Sequence, residues 1–165
     1  MQYKGLKNTS KIVALCLVTA FIAVAASCLA FKANENNYAI IKGRKIYLEI
    51  ADTPEKQFKG LMHIKQLPEN HGMIFLFNKA EPRSFWMKNM EMPIDIIFLR
   101  NRKIITIHRN IQPDNGGKLY PSAYKSDCAI EVNAGFCDKY NVQEGDFILL
   151  SVNVKELWGR IKQSE

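Results

Sequence analysis

The chain has 165 residues, of which 47% are hydrophobic and 24% charged, with a formal net charge of +7. That length accommodates one ordinary domain with a core and excludes two. The basic residues are scattered and no nucleic-acid motif accompanies them, so the charge balance indicates solubility or attraction to an anionic surface, and no nucleic-acid partner is expected.

Residues 12–31 form an apolar run without a charge, preceded by Lys4, Lys7 and Lys11 and followed by Lys32. A run of that length can span a bilayer as a helix, and a basic flank followed by apolar and then small residues is also the layout of a secretory signal. Both readings place the remainder on the outer side of the membrane, as does the excess of lysine before the run. Residues 1–31 are therefore expected to be a signal peptide or a membrane anchor, and the membrane is the partner reached through it. Three fates stay open: lipidation of Cys28 in Ala25-Ala26-Ser27-Cys28, retention as an uncleaved anchor, or cleavage after Ala25 or Ala30. Without the three leading lysines the chain carries 20 basic and 16 acidic side chains, a mildly basic remainder.

Residues 32–43 are polar and end in glycine, the composition of a linker, so the globular domain is expected over residues 44–154 with a tail at 155–165. Lys45 to Ile50 alternates and contains β-formers, which predicts a strand. Asp52-Thr53-Pro54-Glu55 then reads as a helix start, with a capping side chain, proline in the first turn and an acid near the positive end of the dipole. Phe58, Leu61 and Met62 form the stripe by which that helix is expected to pack on a sheet, and Gly60 implies a close backbone approach or an early helix end. After the breaker-rich loop Leu67 to Gly72, Met73 to Phe77 is apolar on both alternating faces and predicts a strand buried on both sides. Strands are also predicted at Ser84 to Asn89, Ile94 to Leu99, Lys103 to Arg109, Cys128 to Val132 and Phe147 to Val154. Arg100-Asn101-Arg102 joins two of them as a hairpin. Gln112 to Pro121 reads as the longest loop and Ala134 to Tyr140 as one or two helical turns. In the tail, Leu157, Trp158 and Ile161 form a short amphipathic stripe. The fold class is α+β: a small, curved, mostly antiparallel sheet or partial β-barrel with one or two short helices, behind the N-terminal hydrophobic segment.

Alternation places Ser84, Trp86 and Lys88 on one face of their strand, and Asp95 on an apolar face with Ile97 and Leu99. Glu131 shares a face with Ala129. A carboxylate on an apolar face needs a partner, and Lys88 is the natural candidate for either acid. Convergence of the three near Trp86 would make either a ligand pocket or a buried ion pair that fixes sheet register, and, as a further alternative, an uncharacterised enzyme site. A second constellation is Met87, Met90 and Met92 beside Trp86, with His63 and His71 upstream; thioethers with an imidazole are ligands for Cu(I), and methionine is also an ordinary core filler. The metal set on that reading is His71, Met87, Met90 and Met92. Cys128 and Cys137 are an even pair, either a disulfide or two buried thiols. No Gly-x-Ser-x-Gly, His-Glu-x-x-His, phosphate-cradling glycine loop or Cys-x-x-Cys is present, so a familiar catalytic class is not indicated and the cofactor is left open.

Gly60-Leu61-Met62, Leu67-Pro68, Gly72-Met73, Phe85-Trp86-Met87-Lys88-Asn89, Pro93 with Asp95, Gln112-Pro113, Glu131 to Gly135 and Gly145-Asp146 together resemble the bacterial and archaeal domain-of-unknown-function 192 family. The resemblance covers about Thr53 to Phe147. It implies a small domain, often behind a signal or anchor, with no activity assigned to the family. The site residues it nominates are Lys88, Asn89, Asp95, Gln112, Glu131 and, most weakly, Asp146; with Trp86 these give the expected binding set Trp86, Lys88, Asn89, Asp95, Gln112 and Glu131. The chain departs from the family pattern at Met90, Met92, Cys128 and Cys137. The functional expectation is a binding or accessory module in the cell envelope, with a small-molecule or protein partner left open.

Overall fold

The structure is a computed structural model and describes residues 36–151. The apolar run, Cys28 and the tail with Leu157, Trp158 and Ile161 lie outside the described residues.

The elements in chain order are β1 (Tyr38–Ile41), β2 (Arg44–Ala51), α1 (Pro54–Lys59), β3 (His71–Glu81), β4 (Ser84–Trp86), β5 (Ile94–Arg100), β6 (Lys103–Ile111), β7 (Leu119–Pro121), β8 (Ser126–Asn133), α2 (Phe136–Lys139) and β9 (Leu149–Leu150). Seven strands form one sheet in the order β6-β5-β8-β3-β2-β1-β9, and β4 pairs with β7 in a separate ribbon. Only β2 and β3 pair in parallel, joined across α1; the other described pairs are antiparallel. The α+β class with a curved, mostly antiparallel sheet and two short helices is therefore what the chain adopts.

Two hairpins rest on turn chemistry. Lys42 and Gly43 both have positive φ (48° and 74°), as do Asn101 and Arg102 (52° and 64°). Two successive left-handed residues make the tight turn whose twist matches paired strands. The first of these overturns the linker reading for residues 38–43, because Lys42-Gly43 folds Tyr38–Ile41 back onto β2 with Ile41 opposite Arg44. The sheet curls until its edges are linked by one segment. Gly145 N donates to Ile104 O at 2.8 Å, Ile104 N to Asp146 O at 2.8 Å and Ile148 N to Arg102 O at 3.0 Å, along β6 and the turn before it. From the very next residue, β9 pairs with β1 at the opposite edge. The short β9 and this bridging segment leave little unpaired edge, as in a partial barrel.

Both faces of the sheet are covered. The inner face packs Leu48, Ile74, Leu76, Ile97, Leu99, Ile130 and Val132 into the main core. The outer face carries Met73, Phe75, Phe77, Ile96 and Phe98, which are also buried. This explains the uninterrupted burial of β5 and the buried run predicted for Met73 to Phe77. Cys128 and Cys137 are free thiols within the inner core, which corrects the disulfide reading. Each is packed separately: Cys128 Sγ faces the Ala129 carbonyl at 3.9 Å, and Cys137 lies against Asp95. Burial pushes both thiols up, so neither is a thiolate near neutral pH.

Asp95, expected at the site, has another task. Its Oδ1 accepts from the N–H of Asn110 at 2.7 Å and Gly135 at 3.1 Å, and its Oδ2 from the N–H of Cys137 at 2.8 Å. Gly135 precedes α2 as its N-cap and has no side chain to cap it, so Asp95 supplies from β5 the acceptor that the helix start lacks, while also fixing the end of β6. Asp95→Ala is expected to destabilise the fold by about 3 kcal/mol or more, because three backbone donors lose their acceptor in a site closed to water. Urea unfolding of the variant measures this, and a loss under about 1 kcal/mol would refute the assignment.

Candidate functional site

Strand register decides what meets at the outer face. Glu131 of β8 lies opposite Met73 of β3 and Ile96 of β5, and one row along, Ala129 lies between Phe75 and Phe98. Paired residues share a face, so Glu131 belongs to the outer layer. Asp95 pairs with Val132 and therefore points to the opposite face. The expected convergence of Lys88, Asp95 and Glu131 does not occur. Among the described residues no ion pair joins Lys88 to either acid.

The outer layer is roofed by chain that is mostly irregular. Ala129 leaves room above the sheet, and the Phe85 ring makes T-shaped contacts with Phe75 at 4.8 Å and Phe98 at 5.2 Å between centroids. β4 ends at Trp86, shorter than the strand predicted to Asn89, because its partner β7 spans only Leu119–Pro121. Asn89 then takes a left-handed φ of 56°, its carbonyl accepts from His63 N at 3.0 Å, and its amide meets Met62 Sδ at 3.8 Å. Asn89 thus ties two roof segments together. Helix α1 stops at Lys59 because Gly60 adopts φ 48° and ψ −134°, a conformation only glycine enters freely. Leu61 and Met62 are buried as expected from the helical stripe, whereas Phe58 is 61% exposed and meets the Trp86 ring edge-on at 5.8 Å. The early helix end is what separates Phe58 from its predicted packing.

Between this roof and the sheet lies a cleft of about 440 Å³, within the range of small-molecule sites. Phe58, Phe75, Phe85 and Trp86 give it aromatic walls, and Lys59, Arg83, Lys88 and Glu131 supply its charged groups. The Lys88 ammonium lies 5.3 Å from the Trp86 ring centre, and the Arg83 guanidinium 4.1 Å from that of Phe77. Arg83 Nη2 donates to the Lys79 carbonyl at 2.8 Å, while its Nε is buried without a partner. Gly116, at φ 81°, packs so closely on Lys88 that a Cβ there would stand 2.9 Å from the lysine Cβ, so the long loop backs the residue.

Glu131 is 4% exposed, and its Oε2 has no hydrogen-bond partner. A Cβ on Gly60 would stand 3.9 Å from that oxygen, so the glycine keeps the space beside it open. Burial with no compensating charge raises the carboxyl to about 8, which makes it a neutral acid able to donate at neutral pH. An orphaned polar atom in a natural interior calls for an explanation, and a pocket that contains it offers one.

Of the residues expected to bind, Trp86, Lys88 and Glu131 line the cleft; Asn89, Asp95 and Gln112 do not. Gln112 is exposed and donates to Asn110 Oδ1 at 2.9 Å. Asp146 accepts from Lys42 Nζ at 2.7 Å and from Gln143 N at 2.8 Å, a turn-stabilising role. Of the proposed copper ligands, Met87, Met90 and Met92 are buried in the connection after β4, and Met90 reaches the cleft. His71 opens β3 and packs on Tyr47 at 5.4 Å. No group of three or more His, Cys, Asp or Glu placed to hold a metal occurs among the described residues. Sequence reasoning missed Arg83, Lys59 and Phe58 as lining. Arg83 follows a turn with no distinguishing signal, and Phe58 had been assigned to packing.

The family model described as "Uncharacterized ACR", domain of unknown function 192, matches residues 38–150. Among curated proteins none matches. Among solved structures, one similar chain is a protein of unknown function from Novosphingobium aromaticivorans DSM 12444, 31% identical, with a TM-score of 0.65 over 68% of this chain and 83% of that one. Another is a protein from Sinorhizobium meliloti 1021 provisionally named as a transcription regulator, 30% identical, with a TM-score of 0.66 over 70% of this chain and 93% of that one.

The raised Glu131 carboxyl makes stability depend on pH with a definite sign. The folded state keeps a proton that the unfolded chain releases near 4.5, so this contribution is whole below 4.5 and is lost as pH rises toward about 8. Relative to Glu131→Gln, which cannot ionise, the wild type should lose on the order of 4 kcal/mol across that window. Urea unfolding of both proteins at pH 5 and pH 8 measures it, and an unchanged difference would show that Glu131 ionises normally.

Proposed function

This chain belongs to the domain-of-unknown-function 192 family, and on that premise we propose that it is a binding or accessory module of the cell envelope whose small-molecule ligand occupies the cleft beneath Trp86 and Phe58. The observation that carries the reading is Glu131 Oε2, buried without a partner in a cleft of about 440 Å³. A carboxyl held in that state lowers stability, and a ligand that enters the cleft would give it the partner it lacks. Aromatic walls supply apolar contact, and the few polar groups supply orientation. The uncharged run at residues 12–31 with its lysine flank supports placement outside the cytoplasm, by anchor, by lipidated Cys28 or by secretion.

Two experiments test the two halves. A fragment screen by NMR on Glu131→Met and wild type should give wild-type hits that shift the Gly60, Phe85 and Trp86 amides. The variant should lose those hits while unfolding at equal or higher urea concentration, since an apolar side chain fits an apolar wall. Hits that persist in a destabilised variant would make the carboxyl structural. Alkaline phosphatase, which needs an oxidising compartment to fold, should be active when fused after Glu165 in a bacterial host; an inactive fusion that is present at full length would contradict the envelope placement.

A further inference from the structure

The ligand class follows from the charges that line the cleft, on the reading that the cleft is a binding site. Lys59, Arg83 and Lys88 line it with positive charge, and Glu131 is the one acid among the lining residues. Lys59 and Lys88 are exposed and make no ion pair among the described residues. Arg83 meets Glu81 at 3.5 Å, but Glu81 is not part of the lining, and Arg83 Nε is left without a partner. The other orphan in the lining, Glu131 Oε2, lies on the sheet side between Met73 and Ile96. Beside it in the lining, Phe85 makes T-shaped contacts with two rings, and Phe58 makes one with Trp86.

We infer that the cleft binds a small organic anion with a flat apolar body, an aromatic carboxylate being the simplest member, its ring against Phe58, Phe85 and Trp86 and its acidic group met by Lys59, Arg83, Lys88 and the Glu131 carboxyl. Each part of that assignment has its own warrant. The aromatic lining accepts a flat apolar group without demanding hydrogen bonds. The cationic rim attracts a negative charge, and a partly desolvated guanidinium pairs well with an oxyanion. Glu131 in its neutral form donates its O–H to an oxygen acceptor, where an ionised carboxylate would repel an anion. A cationic ligand would find three like charges and no carboxylate, and a neutral one would leave the rim cations unanswered.

The test uses three probes with one aromatic body: 2-naphthoate, 2-naphthamide and 2-naphthylmethylamine. They are titrated into the full-length chain carrying Trp158→Phe, with the Trp86 indole N–H followed by NMR. The naphthoate should shift that signal and bind at least tenfold more tightly than the amide, with no saturable shift from the amine. Lys59→Gln with Lys88→Gln, both at exposed positions that the fold does not depend on, should reduce that preference several-fold. Equal binding of amide or amine, or a preference indifferent to the double substitution, would overturn the organic-anion assignment and leave the cleft a small-molecule site. No shift from any probe, with an unchanged spectrum elsewhere, would overturn the assignment, and the fragment screen then decides the binding reading by itself.

Discussion

The pairing of β8 between β3 and β5 is the constraint on which the rest of the site depends. It sets Met73, Glu131 and Ile96 in one row and Phe75, Ala129 and Phe98 in the next, so one carboxyl and one small residue sit in an otherwise bulky apolar surface. A slip of one residue would send Glu131 into the inner core and Val132 to the cleft. The same pairing turns Asp95 inward, where three backbone N–H groups hold it. Two acids that look alike in sequence are thereby given opposite tasks. One is satisfied and closes the inner layer; the other is left open beneath the roof.

The outer layer differs from the inner one in how it is built. Inner-face residues come largely from strands and interlock as one cluster. The roof above the outer face comes from short elements and turns: the segment after Gly60, the β4–β7 ribbon and the connection through Asn89. Such pieces leave gaps that regular elements close, and Gly60 keeps one of them open beside Glu131. The buried methionines fill the remaining irregular space, which their unbranched side chains do with little strain. Stability resides in the sheet and its inner core, and the cleft lies where the packing is least regular, a common division between scaffold and site.

Much of the fold was legible because its signals are local. The cap at Thr53 with Pro54, the two-sided apolar run of β3 and the Asn101-Arg102 hairpin each follow from a few adjacent residues. The β1 hairpin escaped because Lys42-Gly43 in a polar stretch reads equally as linker and as turn. At the site, Lys88 and Glu131 are legible because each is a charged residue in an apolar stretch and belongs to the family motif, with Trp86 beside Lys88. The grouping of Lys88 with Asp95 failed for a different reason: alternation fixes faces within a strand, while only the register between strands says which faces coincide. Arg83 carries no local signal, and the stripe that contains Phe58 points it at the sheet; the early helix stop at Gly60 leaves Phe58 at the cleft instead.

The central claim is that Glu131 stands neutral and unpartnered at the cleft, and its own titration tests this most directly. Following the Glu131 side-chain carboxyl carbon by NMR across pH should give a midpoint near 8, set by burial without a compensating charge. A midpoint in the ordinary carboxylate range, near 4.5, would mean that solvent or a cation reaches the group. A neutral, proton-bearing Glu131 at the cleft would then be contradicted.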